Sequence, residues 1–277
     1  MELKNYRTSE VCKLLGVSRS EYYRIAKEQD NEEKEHEKAV INCFEKHKGN
    51  YGRIRIRKEL LREGINISEY RIARILKKHG MTAKSGRTGK PRPPKPTEQQ
   101  YIEENLIKDK FGVTVANYLW CSDITELKCY RSKLYLCGII DVATRRIVGW
   151  SIGKNQTQKL VQDALKMAIG RNPKRPNDAV YHSDRGCQYT AKKTKQLVEQ
   201  NGFRKSMSRP GTPSDNQPIE SFWKTLEWEM TDISHLPFEE ASRIIVDYIE
   251  LYYNSERLHS GIGYYIPNHF FTLLSVH

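Results

Sequence analysis

The chain has 277 residues, 38% hydrophobic and 29% charged, which suits a core-bearing domain with a smaller module beside it. Its formal charge of +13 and isoelectric point near 9.4 call for a polyanionic partner, nucleic acid first. The sequence holds no apolar run of about 18 residues and no apolar segment behind Met1, so a membrane span and a secretory leader are not expected and the expected location is cytoplasmic. Six cysteines, at 12, 43, 121, 129, 137 and 187, form no C-x-x-C pair and read as buried reduced thiols rather than disulfides or a zinc site.

In chain order, TSEVCKLLGVSRSEYYRI (8–25) reads as two short helices around a turn. Thr8 or Ser9 is the expected cap of the first, Gly16 breaks it, and Ser18 caps the second. That is a helix-turn-helix outline, assigned to residues 1–28. A charged helical stretch follows over 32–48, and residues 51–81 repeat the helical pair, with Gly64 and Gly80 as stops and Ser68 as a cap. Residues 51–80 hold nine basic against three acidic side chains, so 29–83 is read as a basic helical DNA-binding region. Arg53, Arg55, Arg57, Arg71 and Arg74 are its candidate phosphate contacts; a solvated basic face is the plainer alternative. KSGRTGKPRPPKPTEQQ (84–100), with four prolines and five basic residues, cannot bury a core and is a linker, taken as 84–105.

The pattern changes from residue 106. LWCSDITELKCY (119–130), KLYLCGIIDVA (133–143) and RRIVGWSI (145–152) predict three strands in an antiparallel meander. Helices over 157–170 and 190–202 alternate with short strands at 178–184 and 203–208. SDNQPIESFWKTLEWEM (214–230) starts another helix, and a further one covers 238–260. The order β-β-β-α-β-α-β-α gives an α/β domain with a mixed sheet.

Three acids stand out. Asp123 lies within an apolar strand, Asp184 closes another, and Glu220 occupies the first turn of a helix, where the dipole favours a carboxylate. Singly, each has an ordinary explanation: a partner such as Arg145 for Asp123, a turn for Asp184, a helix start for Glu220. Jointly, on a basic chain, three hard oxygen donors without His or Cys suit Mg²⁺ or Mn²⁺ and phosphodiester chemistry. Asp141 reads as a residue tying down the turn after the second strand, with approach to the metal site as its alternative, and His182 as a satisfied core histidine. Asn216 is read as the cap of the following helix, with DNA contact as a second role. Glu229, nine positions after Glu220 and half a turn round the helix, reads as a solvated acid.

Five stretches in order, LWCSDIT, IDVATRRIVGW, YHSDRGCQYT, SRPGTPSDNQPIESFWKTL and YNSERLHSGIGYYIP, resemble the orfB-type transposases of the insertion-sequence-three family, relatives of retroviral integrases. The 35 residues between Asp184 and Glu220 equal that family's triad spacing, and VSRSEYYR and YGRIRIRKELL resemble the region before its core. The resemblance implies an RNase H-like mixed five-stranded sheet flanked by helices over 106–231, a helical extension over 232–277, and the helix-turn-helix-type region in front. It makes Asp123, Asp184 and Glu220 the catalytic metal ligands, for two Mg²⁺ or Mn²⁺ ions, in strand cleavage and strand transfer at the ends of a mobile element. It adds Arg257 and His259 as DNA-contact candidates beside Lys224 and Asn216. Implied partners are double-stranded DNA at element ends and target, further copies of the chain, and an upstream orfA-type protein or frameshift fusion. The implied setting is the bacterial cytoplasm, on the nucleoid when bound to DNA.

One position departs from the pattern. Seven residues after the glutamate the family usually has Lys or Arg, and here stands Glu227. Lys224, on the same helical face, is the expected substitute. A retroviral-type integrase is disfavoured because no His-His-Cys-Cys spacing precedes the core; a non-catalytic DNA-binding regulator or inactive copy is the alternative from another class.

Overall fold

The structure is a computed structural model and describes residues 7–84, 112–209 and 213–275, so most of the expected linker and the first residues of the expected core lie outside the described residues. The chain divides into two compact units, Met1–Ser85 and Gly86–His277.

The first unit holds helices α1 (Thr8–Leu15), α2 (Arg19–Lys46), α3 (Arg53–Arg62) and α4 (Glu69–Lys78). The cap of α1 is Arg7, not Thr8 or Ser9; its backbone N–H donates to Glu10 at 3.0 Å, which closes the first turn. Gly16 ends α1 in the left-handed conformation, and Ser18 caps α2 by accepting from the backbone of Glu21. α2 is one 28-residue helix and passes straight through the boundary expected at 28–29. No Gly or Pro interrupts its run of Glu, Lys, Gln and Arg, so the charged stretch simply continues the second helix. Ser68 caps α4 as expected, and Ile56, Leu60, Ile72 and Leu76 are buried, as are Val40 and Tyr51.

The second unit is built on strands β1 (Leu119–Cys129), β2 (Ser132–Asp141) and β3 (Ile147–Gly153), then α5 (Gln158–Arg171) and β4 (Val180–Ser183). Short helices α6 (Cys187–Thr190) and α7 (Lys192–Gln200) lead to β5 (Arg204–Met207). A 3₁₀ turn (Pro213–Asn216) opens α8 (Gln217–Glu229), followed by α9 (Phe238–Asp247) and α10 (Pro267–Ser275). The sheet is mixed and five-stranded, in the order β3-β2-β1-β4-β5. β1 pairs antiparallel with β2 and β2 with β3, the expected meander, while β1–β4 and β4–β5 are parallel.

Alternation along the strands sends side chains to two apolar layers. Leu119, Cys121, Leu134, Leu136 and Ile140 meet Ile219, Phe222, Leu226 and Ile245 on the α8–α9 side. Trp120, Cys137, Ile139 and Val148 meet Leu160, Ala164, Leu165 and Val198 on the α5–α7 side. The second contact is close because Gly149 lacks a Cβ, which would stand 2.4 Å from the carbonyl oxygen of Ala164. The segment expected as a separate extension, 232–277, contributes Ile233, Ala241, Ile249 and Tyr253 to the same core as the sheet. Its helix does not run to residue 260: α9 passes into a π-helical stretch, Tyr248–Tyr253, whose wider turn packs Tyr253 edge-on against Phe222 at 4.7 Å. Among the described residues no helix is long and apolar enough to cross a membrane. Five cysteines are buried and free, as expected; Cys187 is exposed.

Candidate active site

The parallel pairing of β1 with β4 aligns Ser122 with Ser183, and the next residue in sequence after each is an acid. The register therefore sets Asp123, on β1, beside the end of β4, which Asp184 directly follows. α8 brings in the third acid. Trp223, one turn after Glu220, donates its indole N–H to Asp123 Oδ2 at 2.9 Å. The start of α8 is tied to the same strand, because the Asn216 amide donates to the Ser122 carbonyl at 3.0 Å. Asn216 thus makes no side-chain cap on α8, contrary to the sequence reading; its amide is drawn to the strand instead. Asp215, fully buried, accepts from the Arg209 backbone N–H at 2.8 Å and from the Arg209 guanidinium at 2.7 Å, which fixes the turn in front of α8.

Glycine makes this approach possible. Gly138 on β2 pairs directly with Asp123, and a Cβ there would lie 2.6 Å from the tip of the Trp223 indole.

Burial first, and then the charges of Asp184 and Glu220, push Asp123 up to about 6; the backbone N–H of Ile124 and the Trp223 indole act the other way. Burial also lifts Asp184, against the backbone N–H of Gly186, and lifts Glu220, against the nearby Lys224. Among the described residues no three His, Cys, Asp or Glu side chains stand as a ready-made ligand cage. Asp123 nevertheless lies within electrostatic reach of both Asp184 and Glu220, and each of the three holds its proton more tightly than an ordinary carboxylate. That is the condition a hard divalent cation relieves, and oxygen-only donors match Mg²⁺ or Mn²⁺.

The neighbouring residues take structural parts. Asp141 is buried and accepts from the backbone of Asn117 at 3.0 Å and of Thr144 at 3.2 Å, so it ties the β2–β3 turn. His182 is buried between the hydroxyls of Ser206 and Ser208, at 2.8 and 3.1 Å. Arg257, expected among the DNA contacts, is 4% exposed and forks onto Glu229 at 2.6 and 2.7 Å. The same pair corrects the reading of Glu229 as a solvated acid: the face of α8 opposite Glu220 is covered by the chain after α9, whose Tyr248 also donates to Glu229. His259 lies at the rim of a pocket beside α8, while Lys224 and Glu227 are exposed.

In the first unit Arg53 and Arg57 reach Glu69 at 3.5 and 3.6 Å, and Arg71 reaches Glu33 at 3.3 Å. Such exposed pairs contribute little and can be exchanged for a phosphate. Arg55 donates to the Asn50 carbonyl and sits over the Tyr51 ring, and Arg74 is exposed.

Comparison with known proteins agrees with this architecture. Profiles described as "Integrase core domain" match residues 114–213 and 201–267, and one described as "HTH-like domain" matches 29–88. The transposase for insertion sequence element IS904 of Lactococcus lactis is 38% identical over 228 residues, covering 82% of this chain and 89% of that protein. Transposase InsF for insertion sequence IS3A of Escherichia coli is 33% identical over 269 residues, covering 94% and 92%. The HTLV-2 integrase catalytic core domain in complex with magnesium superposes with a TM-score of 0.41 at 16% identity, over 57% of this chain and 97% of that one, an overlap too loose to bear on the assignment. The chain belongs to the IS3 family of insertion-sequence transposases, polynucleotidyl transferases with an integrase core.

Proposed function

We propose that the chain cuts and joins DNA strands at the ends of its insertion sequence, with Asp123, Asp184 and Glu220 as the catalytic acids. The observation that carries this reading is the convergence itself: the β1–β4 register sets Asp123 beside the strand end that Asp184 follows, and the Trp223 bond brings the Glu220 helix onto the first of them. The three carboxylates would hold two Mg²⁺ or Mn²⁺ ions, which when bound supply activation of a water or 3′-hydroxyl and stabilisation of the leaving oxygen. The chain's own residues do the positioning. Trp223 aims Asp123, Asn216 fixes the entry of α8, and Lys224, one turn beyond Glu220, offers a cation to a DNA phosphate where Glu227 would repel one. Arg53, Arg55, Arg57, Arg71 and Arg74 serve as sequence-independent phosphate contacts.

The proposed partners are double-stranded DNA at element ends and target, a further copy of the chain, and an upstream orfA-type protein, with action on the bacterial nucleoid. The test is Mg²⁺- or Mn²⁺-dependent cleavage and joining of duplexes carrying the element's ends, with Asp184→Asn alongside. Activity that depends on the metal and disappears in the variant supports the reading, and equal activity in the variant removes it.

A further inference from the structure

α8 carries a second polar stripe. Gln217, Ser221 and Thr225 recur every four residues, next to the stripe of Glu220, Lys224 and Glu227. Across an open pocket of about 250 Å³ they face Arg145, His259 and Ser260. The pocket's aromatic wall is made by the edge-on rings of Phe222 and Tyr253. No acid lines the pocket.

Arg145 is held there by unusual backbone. Its φ is 60°, left-handed for a residue with a side chain, and its N–H closes the turn on the Asp141 carbonyl at 2.8 Å. Asp141 in turn binds Thr144 and Asn117, so the conformation is enforced from below. Arg145 Nε is buried and has no hydrogen-bond partner among the described residues. Nε is thus a buried donor without an acceptor on a side chain that is otherwise part-exposed at the pocket wall, where an anion can meet the guanidinium.

His259 accepts from the Gly261 N–H through Nδ1 at 3.1 Å, which orients its ring at the pocket wall. Gly261 keeps the pocket open, since a Cβ there would crowd the His259 ring at 3.1 Å and stand 3.6 Å from Arg145 Nε. A guanidinium, hydroxyls and an amide around a hollow of this size recognise a tetrahedral oxyanion.

We propose that this pocket, with Arg145 as its anchor, seats one backbone phosphate of the DNA strand being processed, and so sets the strand's register on α8 relative to Glu220. The proposal rests on the reading of the chain as a DNA strand transferase. It adds a specific anion site on the helical stripe next to the triad.

The test uses the full-length chain in EDTA, so that binding is read without cleavage. A short duplex bearing one element end is titrated across a salt series with wild type, Arg145→Gln and Arg145→Lys. Arg145→Gln is expected to weaken binding roughly tenfold and to lower the salt slope by about 1, with partial recovery in Arg145→Lys. Methylphosphonates are then placed one at a time along the duplex. One position should weaken wild type and leave Arg145→Gln unaffected. An unchanged salt slope, or losses at every position in both proteins alike, overturns the proposal.

Inorganic phosphate alone is a separate arm. If it raises the melting temperature of wild type but not of Arg145→Gln while the methylphosphonate scan is flat, the pocket takes free phosphate and the DNA assignment is wrong. Should Arg145→Gln fail to fold, Ser221→Val removes a donor from the exposed helix face and must weaken the same single-phosphate effect. These readouts do not need turnover. Active triad variants would end the functional reading and leave the pocket's result standing.

Discussion

Replacing Gly138 with alanine tests how β2 holds the active site together. The new methyl would lie 2.6 Å from the Trp223 ring tip, 3.2 Å from the adjacent ring carbon and 3.4 Å from Ile219 Cδ1. Carbon atoms rest at about 3.5–4.0 Å, so the indole must retreat by roughly 1 Å. Its bond to Asp123, 2.9 Å long, then opens past the hydrogen-bonding range. Overpacking of this kind costs about 1–3 kcal/mol, and a hydrogen bond to a charged acceptor contributes about 1.5–3 kcal/mol, less here because Asp123 is partly exposed. The expected loss is about 2–3 kcal/mol, or roughly 5–10 °C in Tm for a unit of this size. Trp223→Phe removes the clashing ring tip, so Gly138→Ala combined with Trp223→Phe should recover packing but not the hydrogen bond. Chemical denaturation of the two single variants and the double gives a coupling energy, expected at about 1–2 kcal/mol in the compensating direction. Gly138→Ala within about 0.5 kcal/mol of wild type, or a coupling energy of zero, would refute the reasoning.

The buried Arg257–Glu229 pair should behave as structure rather than as DNA contact. Arg257→Met alone strands the Glu229 carboxylate and is expected to cost about 3–5 kcal/mol in denaturation, while Arg257→Met with Glu229→Leu recovers most of it and leaves the DNA salt slope unchanged. Asp141, pushed up by burial to about 6 from 3.8, binds its proton more tightly folded than unfolded, so its contribution is present at low pH and disappears as pH rises through 6. Two units are worth roughly 3 kcal/mol, so the stability deficit of Asp141→Asn should shrink by about that amount between pH 4 and pH 7; a deficit constant with pH contradicts it. Lys224→Ala should weaken binding to element-end DNA and lower the salt slope by about 1. Binding like wild type across the salt series would mean that Lys224 does not substitute for the cation missing at position 227.

Much of the second unit was legible because alternation and apolar runs fix strands locally, and the three strands before α5 came out in the expected antiparallel order. The parallel register that sets Asp123 beside the end of β4 was not legible, since it joins segments some sixty residues apart through a crossover. Helical periodicity gave the face of Glu229 but not what covers it; Arg257 arrives from beyond a π-helical turn that no propensity marks. Trp223 drew no reading from the sequence, although its place three residues after Glu220 was a usable signal for a polar contact on that face. Gly138 was silent, since its contribution is the absence of a side chain. In the first unit, capping chemistry located α4 and the start of α2, while the division drawn at 28–29, where the HTH-like profile also begins, falls inside one continuous helix because nothing there stops it.

The central claim is that Asp123, Asp184 and Glu220 act as one metal-binding unit in DNA strand transfer. Its most direct test is cleavage and joining of element-end duplexes in Mg²⁺ or Mn²⁺ by wild type, Asp123→Asn, Asp184→Asn and Glu220→Gln, with DNA binding measured in parallel. The account predicts that all three variants bind DNA and that none cleaves it above background. A single one of them cleaving at the wild-type rate would contradict it.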